Sequence, residues 1–160
     1  MPPATRVDDE RWMNLALDSA REAAIAGEVP VGAVIVRDGA LVALASNRTI
    51  RDQDPTAHAE AIVIREAAAA VGSWRLEGCM LYVTLEPCAM CAGAMVLARV
   101  DRVVFGAWDE KAGMAGSVAD LLRHPKLNHR PEVLAGVCAE ESGKLLTEFF
   151  RARRGAAATR

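Results

Sequence analysis

The amino-acid sequence predicts an α/β protein with one sheet that carries helices on both faces. Helical and strand patterns alternate along the chain in the order α-β-β-α-β-α-β-(α)-β-α, which is typical of a sheet covered by helices. The first two strands are joined by the turn signal Arg37-Asp38-Gly39, which favours an antiparallel hairpin. The later strands are separated by helices, so they can pair in parallel.

The helices are predicted from apolar residues at helical spacing and from residues that begin or end a helix. Asp8 or Asp9 can cap the first helix, which ends at Gly27. An alanine-rich second helix ends at Gly72. In order after the first, the predicted helices cover residues 58–71, 88–98, a short segment 117–122, and 140–154.

Five strands are predicted from short apolar and β-branched runs that are bounded by turn residues. They cover residues 31–36, 41–45, 79–85, 100–107 and 132–138. The polar segment 47–57 contains Asp54-Pro55 and is expected to be a loop, and Glu86-Pro87 ends the third strand. We expect residues 1–6 and 155–160 to be loose ends, which leaves an ordered core of about 8–154.

Length and composition favour one globular domain over residues 1–160. The chain has 160 residues, of which 52% are hydrophobic and 25% charged. This composition differs from that of disordered, collagen-like and coiled-coil proteins. Its net charge of −2 excludes a global basic field for nucleic acid but not a local basic patch. The beginning of the chain lacks the apolar region of a signal peptide, and the longest nearly apolar stretch, residues 88–98, is too short to span a bilayer. We therefore expect a soluble, cytoplasmic protein without membrane contact.

Two segments carry residues suited to chemistry, each at the start of a predicted helix: residues 56–60 (Thr-Ala-His-Ala-Glu) and 86–91 (Glu-Pro-Cys-Ala-Met-Cys). Cys88 and Cys91 share a helical face, and a helix N-terminus lowers the pKa of a thiol. Two thiolates and the neutral imidazole of His58 suit Zn²⁺ with no net charge. Glu60 would then lie beside the metal as a proton carrier. Three protein ligands leave a position for water, whose pKa zinc lowers to about 7.

Other interpretations of these residues stay open at this point. A Cys-x-x-Cys pair alone can be a redox site, and a histidine at a helix start can be a cap, whereas H-x-E together with P-C-x-x-C is the signature of zinc deaminases. A closed structural zinc site would need a fourth ligand from Cys79, Cys138, His124 or His129. An extended strand of seven residues would carry Cys79 roughly 20 Å away, and Cys138 is expected to be a buried apolar residue in the last strand.

The sequence resembles the bacterial tRNA-specific adenosine deaminases of the cytidine-deaminase-like superfamily over about Arg11 to Arg154. The resemblance rests on residues 29–34, 54–60, 81–95, 102–107, 128–130 and 149–154. The first blocks are shared with guanine and cytosine deaminases, and the last two favour the tRNA enzymes. The resemblance implies a three-layer α-β-α fold with a mixed five-stranded sheet, and a homodimer.

The resemblance also implies a reaction and its residues. One zinc ion per subunit would be bound by His58, Cys88 and Cys91. Glu60 would carry a proton from water to purine N1 and help ammonia leave, so that adenosine at the wobble position of a tRNA anticodon becomes inosine. An arginine tRNA is the family's usual substrate.

The resemblance implies substrate contacts for Asn47, Asp109 and Asn128. Without the resemblance, these three are ordinary polar residues of a loop or turn. Residues 144–160 hold five basic residues and one acid, so Phe149 and Arg153 are expected to stack on a base and bind phosphate. Alternatively, the phenylalanine is a core residue and the arginines favour the helix dipole. Trp108 departs from the polar or small residue expected there, and it could stack on RNA or pack on a partner chain.

Two other functions compete with tRNA editing. One is a deaminase of a small free base or nucleoside such as guanine or cytosine. The other is a non-catalytic zinc module that binds RNA or a protein partner.

Overall fold

A computed structural model describes residues 3–158 of the chain. Its helices and strands, in chain order, are α1 (Arg6–Ile25), β1 (Gly32–Arg37), β2 (Ala40–Ser46), α2 (Ala59–Val71), β3 (Cys79–Leu85), α3 (Ala89–Ala98), β4 (Arg102–Ala107), β5 (Glu132–Ala135) and α4 (Ala139–Ala158). All five predicted strands and the four long helices are therefore confirmed, with small shifts of their ends. Within the described part of the chain, no helix combines the length and the apolarity that crossing a membrane requires.

The five strands form one mixed sheet in the order β2-β1-β3-β4-β5. Strand β1 pairs antiparallel with β2 and β3, whereas β3–β4 and β4–β5 are parallel. This confirms both the hairpin and the parallel pairing predicted for the later strands. Because β3 and β4 run in the same direction, their carboxyl ends lie side by side, with Leu85 opposite Ala107. The segments that follow these two strands start at the same edge of the sheet.

Helices cover both faces of the sheet, which confirms the three-layer fold. Helix α1 packs on β1 and β3, and α4 contacts α1 and β4, while α2 packs on β2 and contacts α3. The sheet side chains alternate between the two layers, so Val34, Tyr82 and Val104 pack with α1. At Gly32 a Cβ would lie 1.9 Å from the carbonyl oxygen of Ala16, so the close approach of α1 to β1 requires glycine.

The two ends of the described chain are more ordered than predicted. Helix α1 is capped by Thr5 rather than by Asp8 or Asp9: the Thr5 hydroxyl accepts from the Asp8 N–H, and the Asp8 carboxylate accepts from the Thr5 N–H. This pair is a capping box. Asp9 is instead buried against Arg102, at 2.6 Å. Helix α4 continues to Ala158 because alanine favours the helix, and residues 159–160 lie outside the described part.

Two predictions for the second half of the chain are wrong. Residues 117–122 form turns with an isolated bridge between Ala115 and Asp120 instead of a helix. In a helix the Leu121 N–H would bind the Ser117 carbonyl, but here it donates to the Met114 carbonyl, so the segment folds back on residues 114–116. Strand β5 ends at Ala135, and Cys138 lies half-buried in the following turn with φ 54° rather than in the strand.

Candidate active site

The three predicted metal ligands meet where α2 and α3 begin. His58 is the N-cap of α2 and Cys88 the N-cap of α3, and the two helices pack against each other on one face of the sheet. His58 Nδ1 lies 3.6 Å from Cys88 Sγ and 3.5 Å from Cys91 Sγ, and the three donor atoms lie within 4.8 Å of one another. Tetrahedral zinc with ordinary Zn–N and Zn–S lengths places such donors about 3.6 Å apart. The donor set and its spacing therefore fit zinc.

Hydrogen bonds and burial distribute protons unevenly over this cluster. The pKa of Cys88 is lowered to about 3 by hydrogen bonds from Cys91 and then from His58. The pKa of His58 is raised by the same contact with Cys88, and that of Cys91 is raised by Cys88 and by burial. Three donor groups thus share protons that a divalent cation would displace, so metal binding is expected to release protons.

A fourth protein ligand is not found among residues 3–158, where only three donors meet the distance for a shared metal ion. Cys79 lies at the amino end of β3, opposite the end that leads to Cys88. His124 Nδ1 accepts from the Lys126 N–H, and His129 Nε2 donates to the Val100 carbonyl at 2.6 Å. The cluster therefore has the three-ligand composition of an open zinc site rather than a closed structural one.

Glu60 is buried beside the three donors without being one of them. It is the second residue of α2, and its side chain is only 4% exposed. Burial raises the pKa of its carboxyl, although its own backbone N–H and the charge of His58 act in the opposite direction. A carboxyl with a raised pKa can hold and release a proton near neutral pH.

Asn47 connects the loop after β2 to the helix that carries His58 and Glu60. Its Oδ1 accepts from the N–H of Ala59, the first residue of α2, at 2.8 Å. This bond satisfies one of the free N–H groups at the helix start. No acceptor among the described residues binds its side-chain NH₂ group, which leaves that group available to a ligand. The structural and the ligand-binding interpretations of Asn47 are thus compatible.

Two buried glutamates that organise the site loops were not singled out from the sequence. Glu28 is fully buried, and its carboxylate accepts from the N–H groups of Ile50 and Arg51 at 3.0 and 2.8 Å. Burial would raise the pKa of Glu28, but these two bonds and the Arg51 guanidinium lower it overall. Arg51 also donates to the Asn47 carbonyl at 3.4 Å, so Glu28 holds the loop that bears Asn47.

Glu86 has the same function in the loop after β4. Its buried carboxylate accepts from the N–H groups of Asp109, Ala115 and Ser117 at 2.9, 2.9 and 3.0 Å, and from the Ser117 hydroxyl. Burial would raise the pKa of Glu86, but these bonds lower it overall. The only sequence signal for this role is an acid between an apolar strand and a proline. An acidic residue in that context is equally consistent with the simple end of a strand.

The residues predicted to contact RNA are only partly brought together. Asp109 follows the carboxyl end of β4 and lines a groove of about 760 Å³ between this loop and α4, the α4 groove, together with Val29, Leu85, Trp108, Phe150 and Arg154. On α4, the Arg153 guanidinium lies 5.2 Å over the Phe149 ring. Asn128 is exposed in a loop whose next residue, His129, contacts Val100 before β4 begins. Within one chain, Asn128 and Asp109 therefore lie towards opposite ends of β4.

Comparison with known proteins agrees with this geometry. The model of the cytidine and deoxycytidylate deaminase zinc-binding region matches residues 6–107. The chain belongs to this family of zinc-dependent deaminases. The tRNA-specific adenosine deaminase of Bacillus subtilis is 52% identical to this deaminase over 146 residues, which cover 91% of each chain. That of Agrobacterium fabrum is 48% identical over 89% of this chain and 94% of its own.

Solved structures show the same relationship. A structure from studies of A-to-I editing by tRNA:A34 deaminases at the wobble position has a TM-score of 0.82 and 47% identity, and covers 85% of this deaminase and 99% of its own chain. A guanine deaminase from Nitrosomonas europaea has a TM-score of 0.76 over 93% of each chain but only 22% identity. At this low identity, the similarity to the guanine deaminase shows a shared fold and nothing about function.

Proposed function

We propose that this deaminase converts adenosine to inosine at the wobble position of a tRNA anticodon, with zinc held by His58, Cys88 and Cys91. The observation that carries the proposal is the three-donor cluster beside a buried carboxyl, in a chain 52% identical to a tRNA-specific adenosine deaminase. A tRNA substrate also agrees with the cytoplasmic location expected from the sequence.

The overall reaction adds water and releases ammonia. A zinc ion bound by three protein donors supplies a water molecule whose pKa is lowered to about 7. Glu60 takes a proton from the attacking water and delivers it to purine N1, so that C6 becomes more electrophilic and the water oxygen forms a new bond to C6. Glu60 then takes up the second proton of that oxygen and passes it to the amino group, whose bond to C6 breaks so that it departs as ammonia. Its raised pKa and its exclusion from solvent support this role, because a buried carboxyl keeps the transferred proton close to the base.

Asn47 is the residue proposed to orient the base. Its Oδ1 is fixed by the Ala59 N–H, so the direction of its NH₂ group is fixed as well. That group can donate to an acceptor nitrogen of a purine. A base held in this way would lie near the first turn of α2, where Glu60 is located.

The deciding experiment is incubation of the zinc-loaded protein with unmodified tRNA and, separately, with free adenosine, guanine and cytosine, followed by nucleoside analysis. Inosine at the wobble position is the expected product. Ammonia from guanine or cytosine without inosine in tRNA would instead identify a free-base deaminase. An assay of several tRNAs shows whether an arginine tRNA is preferred, as we propose from the family resemblance.

A matched pair of variants on α2 tests Glu60. We expect Glu60→Gln to keep zinc and lose about 10²–10⁴-fold in turnover, because the proton carrier is removed. Glu66→Gln, an exposed acid on the same helix, should leave both zinc and turnover unchanged. Full turnover in Glu60→Gln would remove this residue from the mechanism.

Helix α4 is proposed to bind the RNA backbone. After Glu148 it carries Arg151, Arg153 and Arg154 and no acid as far as Ala158. Phe149 and Arg153, with Asp109 and Asn128, are the proposed RNA contacts. Arg153→Ala is expected to weaken tRNA binding and to reduce its dependence on salt, without loss of zinc. Unchanged affinity and salt dependence would place the RNA elsewhere.

We also propose that two copies of the chain associate through α3. This helix has no Asp, Glu, Lys, Arg or His, yet Leu97 and Met90 are 70% and 38% exposed. A second copy that covers them would remove apolar surface from water, and could bring Asn128 of one chain towards the site of the other. Leu97→Glu should sediment as a monomer, whereas Val7→Glu, at a 74% exposed position on α1, should sediment as wild type. A monomeric wild-type protein would contradict this proposal.

A further inference from the structure

Trp108 is an exposed aromatic ring that is held in a fixed orientation. Its ring packs edge-on against Phe105, with centroids 4.9 Å apart at 86°. Its other neighbour is Gly116, where a Cβ would lie 3.1 Å from Cζ3 of the indole. Despite these two contacts Trp108 is 50% exposed. A ring that is both fixed and open to solvent loses little conformational freedom when another ring stacks on it.

The α4 groove places a second aromatic ring and two cations near Trp108. Trp108 belongs to the wall formed by the loop after β4, and Phe150, which is 41% exposed, belongs to the wall formed by α4. Lys111 and Arg154 line the same groove. Exposed aromatic faces beside cations are the combination that binds unpaired nucleotides, because the rings stack on bases and the cations bind phosphates.

The lining of the groove is joined to the candidate active site by a short piece of chain. Leu85, the last residue of β3, lines it and is followed by Glu86, Pro87 and the metal donor Cys88. The loop that carries Trp108 is fastened to Glu86 through the Asp109 N–H. Three residues of chain span at most about 10 Å, so a polynucleotide with one base at the metal donors can place a neighbouring nucleotide at the groove.

We propose that Trp108 and Phe150 form a stacking site for an unpaired nucleotide next to the base that is deaminated, with Arg154 directed at its phosphate. This inference rests on the proposed function and names the part of the substrate that the groove recognises. An unpaired loop is required, because a base in a duplex is already stacked on both sides.

The first test measures KM and kcat for an anticodon stem-loop RNA with adenosine at the wobble position. Trp108→Ala is expected to raise KM about 5- to 150-fold, the range for loss of one stacked base, with a much smaller change in kcat. Trp108→Phe should recover part of the affinity. Trp74→Ala is the matched control, since Trp74 is 63% exposed but precedes the amino end of β3, away from the groove.

The second test reports stacking directly and requires no turnover. The sequence has three tryptophans, so Trp12→Phe combined with Trp74→Phe leaves Trp108 as the single indole. In the Glu60→Gln background, the stem-loop RNA should quench this fluorescence, and a fully paired duplex of equal length should not. If Trp108→Ala proves unstable on heating, Phe150→Ala provides the same KM measurement from the other wall of the groove.

Several outcomes would overturn the inference. An unchanged KM in both Trp108→Ala and Phe150→Ala would do so, as would equal quenching by loop and duplex. A changed sedimentation coefficient in Trp108→Ala with unchanged RNA affinity would show that a second chain, not RNA, covers the ring. Failure of the wild-type protein to edit tRNA at all would contradict the proposed function itself, whereas wild-type editing with unaffected groove variants would contradict only the stacking site.

Discussion

Substitution of Glu86 by glutamine tests whether a buried carboxylate holds the loop after β4. The two oxygens of Glu86 accept from three backbone N–H groups and one hydroxyl, all in the segment from Asp109 to Ser117. Glutamine has nearly the same shape but only one accepting oxygen. Glu86→Gln therefore changes hydrogen bonding and charge while it leaves the volume of the core nearly unchanged.

The size of the effect follows from the best orientation that glutamine can take. With its oxygen placed where it binds the N–H groups of Ala115 and Ser117, its NH₂ group faces the Asp109 N–H and leaves that donor unpaired. A buried unpaired N–H costs about 1–3 kcal/mol, and the two remaining bonds weaken by about 1 kcal/mol each because the acceptor is no longer charged. The lower desolvation cost of a neutral amide offsets part of this. We expect a net loss of about 2–3 kcal/mol, or roughly 5–10 °C in Tm for a chain of this size.

Thermal unfolding at neutral pH measures this loss, and amide hydrogen exchange locates it. The amides of Asp109, Ala115 and Ser117 should exchange faster in Glu86→Gln than in wild type. Glu110→Gln removes an exposed acid of the same loop and should change neither quantity by a measurable amount. A Tm within about 1 °C of wild type, together with unchanged exchange of the three amides, would refute the reasoning. Loss of even one ordinary hydrogen bond, about 1 kcal/mol, should lower Tm by about 2–4 °C in a chain of this size.

Three further outcomes are expected from the same structure. Gly113→Ala should destabilise the protein, because a Cβ at that position would lie 2.2 Å from the Glu86 carboxyl carbon. Gly143→Ala in α4 should instead stabilise it by about 0.5–1 kcal/mol, because a Cβ there meets nothing within 4 Å. Equal melting temperatures of the two variants would contradict this. The pKa of Glu28 in the folded protein is lowered from 4.5, so the Glu28 carboxylate stabilises the fold fully above that pH, and this stabilisation is lost as the pH falls below it. The urea midpoints of wild type and Glu28→Gln should therefore converge in acid. Removal of zinc by a chelator should lower Tm, because a metal that binds only the folded cluster stabilises it, and an unchanged Tm would count against a zinc centre.

The sequence predicts those features that depend on local patterns. The strands are found because β-branched and apolar runs alternate with turn residues, and the hairpin because its turn signal is local. The metal cluster is found because its donors lie at two helix starts, where His58 and Cys88 are also the N-caps. Their convergence needs only that α2 and α3 share one face of the sheet.

Features that depend on distant contacts were missed. Residues 117–122 have a helical pattern, but the chain folds back there and the Leu121 N–H binds the Met114 carbonyl. Glu86, about thirty residues earlier, holds the N–H groups of Ala115 and Ser117 in this arrangement. The burial of Glu28 cannot be inferred locally either, since acids are seldom buried and the loop that compensates it lies 22 residues further on. Asn128 and Asp109 lie towards opposite ends of β4, and sequence similarity alone does not reveal this separation.

The two buried glutamates explain how irregular loops can hold the residues that we propose bind the substrate at fixed positions. The segments after β2 and after β4 have no helix or strand of their own, so several of their backbone N–H groups lack the partner that a helix or sheet would provide. Glu28 and Glu86 each supply several charged acceptors at once, which makes a loop as well anchored as a secondary-structure element. Each loop then fixes a different part of the site: the first carries Asn47 beside the metal donors, and the second carries Trp108 and Asp109 along the groove. Loosening either loop should therefore weaken substrate binding while the three metal donors, which lie on helix starts, stay in place.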